Sequence, residues 1–347
     1  MGSRKSFKFG SPGRDKMLKT WARFSFFVIV CVFAVNAQAQ EKLTFSYAAL
    51  GGPNSIWNIA KDLGFYKKRG IDAEVVYIVS TTLGAAAVLS GHIQVGMVAG
   101  SGVVNSAAGG GDLVAVACFV NVLDYELVVQ TSIKSAEDLK GKSIGISRFG
   151  SVTDVAARAF LAELKLRPGE DVTVRQVGGA AERAAAFTRG AVAGFLSSTG
   201  SIYLLGENLP HRVLIRTADL KNPPPFPWIC AVTTKNYLAK NRENVKKIVM
   251  ALIEATHYFK SNKEGAKKIV GKYFPTANAA YLEDNYSATV RILERVPYVT
   301  RPGMENLIKE ARKTNPGIKV TVNDLVDDTI VRELERDGFI DQTYGKK

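Results

Sequence analysis

Histidine, cysteine and long apolar runs are all scarce in this chain. The histidines among its 347 residues are His92, His211 and His257, and they fall into no metal-ligand spacing with one another or with acids. No metal site is expected. Of the three cysteines, Cys31 lies in an apolar run near the N-terminus, which leaves Cys118 and Cys230. Two cysteines cannot build a disulfide framework or a structural zinc site. They can pair in an oxidising compartment, but each lies in an apolar strand-like run (LVAVACFV and WICAVTT), which favours buried free thiols. The sequence holds no G-x-S-x-G elbow, no P-loop and no H-E-x-x-H. Gly109-Gly110-Gly111 reads as a loop between helix and strand. An enzyme is therefore not expected, and neither catalytic residues nor a cofactor are assigned.

The one long apolar stretch is FSFFVIVCVFAV over residues 24–35, too short to span a bilayer. Lys19 and Arg23 precede it and Ala37-Gln38-Ala39 follow. A charged region, a short apolar run and an A-x-A site define a secretory signal peptide, with cleavage expected after Ala39 and export to the periplasm. Met17 is a candidate start. Residues 1–39 carry seven Lys/Arg and one acid, a net +6 of the chain's +14, so the remainder is +8. Those charges are scattered, and no basic helix carries interleaved aromatics, so nucleic acid is excluded as a partner. The chain is 46% hydrophobic and 22% charged, as in ordinary globular proteins.

From 43 to 133 strand and helix alternate. Strands are expected at Leu43–Ala48, Ala73–Val79, Gln94–Val98, Leu113–Val120 and Glu126–Gln130. This is the pattern of an α/β lobe with a mainly parallel sheet. A second βα series runs from 134, with a helix expected over Ser201–Glu207. It closes at Asn222-Pro223-Pro224-Pro225-Phe226-Pro227, a run that proline chemistry bars from helix and central strand. After a strand at Trp228–Thr234 the chain reads as helical. Val245, Ile248, Val249, Leu252, Thr256 and Phe259 mark one helical face. The organisation predicted is lobe one over 40–130 and 228–347, with lobe two inserted at 131–227.

The stretches Tyr47-Ala48-Ala49, Ile56 to Gly70 (IWNIAKDLGFYKKRG), Leu89-Ser90-Gly91-His92-Ile93-Gln94-Val95-Gly96 and Asp138 to Ile146 (DLKGKSIGI), in this order behind a signal peptide, carry a family resemblance. So do Val326-Asp327, Glu333-Leu334 and Gly338-Phe339 near the C-terminus. The chain resembles periplasmic substrate-binding proteins of ABC importers, in the cluster for aliphatic sulfonates, taurine, nitrate and thiamine-pyrimidine precursors. Nearly all of the exported chain is covered. One departure is Gln94-Val95-Gly96, where the family often has an acidic residue, and an altered sheet-edge contact is expected there.

The resemblance implies the type II periplasmic-binding-protein fold: two α/β lobes, two crossing strands (Glu126–Gln130 and Trp228–Thr234) and a helical C-terminal tail. It implies a monomer that captures a small organic or oxyanion nutrient in an interlobe cleft and delivers it to an inner-membrane ABC permease. A thiamine-pyrimidine-synthase-like enzyme and a ligand-sensing subunit are the alternatives. The cysteine-rich motif of that enzyme is missing here.

Open α/β sheets bind ligands beyond the carboxyl ends of their strands. Asn54 can touch ligand or cap the helix after it, and Trp57 can line the cleft or sit in the core. Ser80 and Thr81 offer hydroxyls and free amides at a helix start. Gly100 and Ser101 would let ligand approach the backbone. In lobe two Arg148, Gly150 and Ser151 form a polar turn, in which Ser151 and Asp154 match a capping box, S-x-x-D. Ser198 and Thr199 follow a short strand, and Trp228 can stack on a ring or alkyl chain.

Overall fold

The computed structural model describes residues 1–3, 5–6, 41–198, 209–221, 223–274 and 278–345. The expected signal peptide with its cleavage site, Thr199 and the helix expected over Ser201–Glu207 lie outside the described residues.

Ten strands form two five-stranded sheets. They are β1 (Glu41–Tyr47), β2 (Ile71–Tyr77), β3 (Val95–Met97), β4 (Leu113–Val122) and β5 (Tyr125–Val129), then β6 (Ser143–Ile146), β7 (Thr173–Gln176), β8 (Gly194–Ser198), β9 (Arg212–Arg216) and β10 (Pro225–Thr234). The first sheet has the order β2-β1-β3-β10-β4 and the second β7-β6-β8-β5-β9. The chain thus passes between sheets at Leu123–Asp124 and again between β9 and β10. Tyr125–Val129 pairs within the second sheet, antiparallel to both β8 and β9.

Both sheets are mixed rather than mainly parallel. β1 and β3 are parallel, and β6 is parallel to β7 and β8. β10 runs antiparallel to both β3 and β4, because it returns from the second sheet instead of arriving by a βα crossover.

The proline run also departs from expectation. Pro225 and Pro227 lie inside β10, a strand with neighbours on both sides. The pairing shows how they are tolerated. Against β3 only Ala231 and Val232 pair, while against β4 the register shifts between Pro225 and Ile229. The prolines therefore sit where β10 is still an edge, and where a missing N–H breaks no ladder.

Cys118 and Cys230 form a disulfide, which corrects the expectation of free thiols. They stand directly opposite each other in the β4–β10 register, with Cα atoms 3.9 Å apart. Apolar surroundings argued for inert thiols, but strand pairing brings the sulfurs together.

Beyond β10 the described chain holds helices and no further strand. On the longest, Arg242–Ser261, the stripe from Val245 to Phe259 is buried as its spacing required. Each such aliphatic side chain contributes about 1.5–3 kcal/mol relative to exposure. Gln94 Oε1 accepts from the Thr44 amide at 2.8 Å and Nε2 donates to the Gly91 carbonyl at 3.1 Å.

Candidate ligand-binding cleft

A cavity of about 150 Å³ lies between the two sheets. Its first wall comes from residues that follow the strands of the first sheet: Ala48–Leu50 after β1, Val79–Thr81 after β2, and Met97 at the end of β3. The second wall follows strands of the second sheet: Ser147 and Ser151–Thr153 after β6, Gly179–Arg183 after β7, and Ser198 on β8. Carboxyl ends of strands from both sheets thus face one space, as open α/β sheets require. Tyr125 and Trp228, next to the two chain crossings, complete the lining with ring centroids 5.3 Å apart.

Of the expected site residues, Ser80, Thr81, Ser151, Ser198 and Trp228 line this cavity. Ser80 adopts φ 79°, which turns its hydroxyl onto the Thr82 amide and starts the helix Thr81–Leu89. Arg148 is exposed and lines an adjoining groove with Ser80, Ser147 and Gln176. The structure places the other candidates elsewhere. Trp57 is fully buried against Phe45 in the core. Asn54 is buried within a short 3-10 turn, and the helix after it has no side-chain cap. A Cβ on Gly100 would collide with Pro227 and approach Leu307 at 3.0 Å, so its smallness serves packing. Ser101 is buried beside it and outside the lining.

The turn after β6 corrects another expectation. Ser151 does not form the capping box with Asp154. Its hydroxyl donates to the Arg148 carbonyl at 2.7 Å, and Asp154 instead accepts from the Gly150 amide at 2.9 Å and pairs with Arg158 at 3.0 Å. Gly150, at φ 75°, therefore has its N–H committed to protein.

The hydroxyls of Ser147, Ser151 and Thr153 form a triangle with 2.9 Å sides. Ser151 donates to Arg148, Ser147 donates to Ser151, and Thr153 accepts from the Ser147 amide at 2.8 Å. With those two protons assigned, the Thr153 hydroxyl donates within the triangle, to Ser147 or Ser151.

Arg183 is the group that sequence reasoning missed. It lines the cavity yet is only 6% exposed. Nε donates to the Leu196 carbonyl at 3.0 Å and Nη1 to the Gly178 carbonyl at 2.7 Å. Among the described residues no carboxylate forms an ion pair with it. Burial pushes the guanidinium below the ordinary arginine value, and Tyr125, Tyr77 and Glu182 oppose that shift. Burial likewise pushes the Tyr125 phenol up to about 12, so it remains a hydrogen-bond donor at neutral pH. A lone arginine in the alanine-rich run AAERAAAF reads as a solvated face. Only the Gly178-Gly179 turn before it hinted at close approach to something. A Cβ on Gly179 would lie 3.0 Å from Val79, across the cleft.

Two hydrogen bonds tie the walls together. Asn105 Nδ2 donates to the Gly150 carbonyl at 3.0 Å, and Thr82 Oγ1 to the Phe149 carbonyl at 3.5 Å.

Residues 56–266 match the family described as NMT1/THI5 like. The chain belongs to the NMT1/THI5-like family. A provisionally named binding protein of Brucella abortus (strain 2308) is 24% identical over 255 residues, which is 73% of this chain and 77% of that protein. The periplasmic nitrate-binding protein of Synechocystis PCC 6803 superposes with a TM-score of 0.70 at 16% identity, covering 86% of this chain and 89% of its own. The periplasmic aliphatic sulphonate-binding protein of Escherichia coli gives 0.61 at 18% identity, covering 82% and 91%. At such identities the likeness is one of fold: two α/β lobes of the periplasmic-binding-protein type, as the sequence resemblance implied.

Proposed function

We propose that this protein is an extracytoplasmic solute-binding component of an ABC import system. It takes a small organic or oxyanion nutrient between its lobes and presents it to an inner-membrane permease. The observation that carries this reading is the cavity itself, walled by strand ends of both sheets and crossed twice by the chain. The family membership and the names of the Brucella, Synechocystis and Escherichia proteins support it. Lobe one comprises the first sheet with the C-terminal helices, and lobe two the inserted stretch that begins near Tyr125. The contacts of Asn105 and Thr82 hold the closed form.

The site residues in this reading are Ser80, Thr81, Ser147, Thr153, Arg183, Ser198 and Trp228. Binding is non-covalent. The named relatives are binding proteins, which favours this reading over the enzyme alternative. A thermal-shift screen of small nutrients against the purified protein tests the reading. A ligand at about 100 times its Kd adds roughly 2.7 kcal/mol, a rise of several degrees in Tm. A broad panel without a single shift would overturn it.

A further inference from the structure

Within the solute-binding reading, three features of the cavity narrow the ligand: its charge, its size and the character of its walls. The first is charge. Arg183 places a full positive charge in a nearly dry position, and its bonded partners are backbone carbonyls, which cannot neutralise it. Its Nη2 makes no hydrogen bond to the described residues. A buried cation without a counter-charge is costly, and an anion in the cavity removes that cost. Glu182, next to it in sequence, also borders the cavity but is exposed. Its carboxylate keeps its water, so its attraction for Arg183 is screened. The helix starts at Val152 and Ala180 border the same space, but each first turn carries an acid, Asp154 and Glu182, which offsets their pull and leaves Arg183 as the group that attracts an anion.

The second feature is size. A cavity of about 150 Å³ is of the order that holds one benzene-sized molecule. The third is the remaining lining, which is aromatic and apolar: Trp228 and Tyr125 form a tilted pair, with Tyr77, Met97 and Phe274 around them. Bare nitrate would leave that surface unused. A dianion would bring one more charge than the single unpaired cation can match.

We propose that the ligand is a compact ring-bearing monocarboxylate of about the size of benzoate, its carboxylate on Arg183 and its ring against the Trp228–Tyr125 pair. A planar two-oxygen group matches the guanidinium fork, which can present two parallel donors.

The test is calorimetric titration of the whole exported protein with benzoate and with benzamide, its neutral isostere. Nitrate and 2-aminoethanesulfonate serve as comparison anions. Benzoate is expected to bind, with benzamide and both comparison anions about 100-fold weaker or worse. Arg183→Gln is expected to lose about 100-fold for benzoate and to bring the benzoate-to-benzamide ratio near one, whereas Arg183→Lys keeps part of the preference. Circular dichroism and a melting curve establish that each variant is folded. Benzamide binding as well as benzoate, or a folded Arg183→Gln variant with unchanged affinity, overturns the inference. So does tighter binding of nitrate or 2-aminoethanesulfonate. If benzoate fails while another nutrient in the thermal-shift screen binds, this inference falls and the solute-binding reading stands. If nothing in that screen binds, the broader reading falls too.

Discussion

The two walls of the cavity are built from the same kind of βα turns, yet they carry different chemistry. The first-sheet wall is Ala48–Leu50, Val79 and Met97, with only the hydroxyls of Ser80 and Thr81. The second-sheet wall has a hydroxyl triangle and a buried guanidinium. The contrast extends beyond the cavity. Four charged residues are buried among the described residues, and Glu126, Asp154 and Arg183 belong to the second-sheet half. Asp328, in the C-terminal helices, is the fourth. The first half holds the disulfide and most of the large buried side chains, including Trp57, Phe45 and Tyr66. One half is built for stability and shape, while the other accepts the cost of buried polar groups to read the ligand.

The contrast is most sharply tested at the disulfide. It links strands 112 residues apart in sequence, and a loop of that length is worth about 5 kcal/mol in the chain-entropy account. The double variant Cys118→Ala, Cys230→Ala should lose about that much stability in urea titrations while ligand affinity stays within twofold. A large affinity loss in the folded variant would break the division of labour.

The second test concerns Glu126 on β5. Desolvation raises its carboxyl to about 7, with Arg216 opposing and Asp124 adding to the rise. The folded value lies above the unfolded one, so the folded state holds the proton longer. The group's contribution is therefore full below about pH 4.5 and is lost as pH rises through 7. Between pH 5 and 8 this amounts to about 2–3 kcal/mol. Glu126→Gln should remove that slope, read as the wild-type minus variant difference in unfolding free energy at the two pH values. A difference independent of pH would contradict it.

A smaller effect is expected at the hydroxyl triangle. Thr153→Val keeps the shape and removes one corner of the triangle, and should weaken ligand binding about fivefold. Ser80→Ala on the opposite wall, whose hydroxyl accepts from the Thr82 amide, should change affinity less. Equal losses would erase the distinction between the walls. The smallest effect belongs to Asn105→Ala, which removes one exposed bond across the cleft. It should raise the ligand off-rate about threefold in stopped-flow traces, with Tm unchanged.

The strands and the helical C-terminal stretch were legible in the sequence because period-2 and 3.6-residue patterns are local. The placement of Ser80, Thr81 and Trp228 at the cavity was legible too, since turns after strands lie at sheet ends. What was not legible depends on register and depth. The opposition of Cys118 and Cys230 follows from how β10 pairs with β4, and nothing within either run encodes it. Pro225 and Pro227 read as strand breakers until the one-sided pairing of β10 is known. For Trp57 residue type left cleft and core both open, and only its burial decides for the core. Arg183 drew no reading from the sequence, and only its depth beside the cavity singles it out.

The measurement that bears most directly on the account is native mass spectrometry of the gently purified protein. The account predicts a fraction carrying one small molecule in one-to-one ratio, released on activation as an anion, with that fraction absent from folded Arg183→Gln. An adduct retained in full by the Arg183 variant would contradict the assignment of recognition to the second-sheet wall.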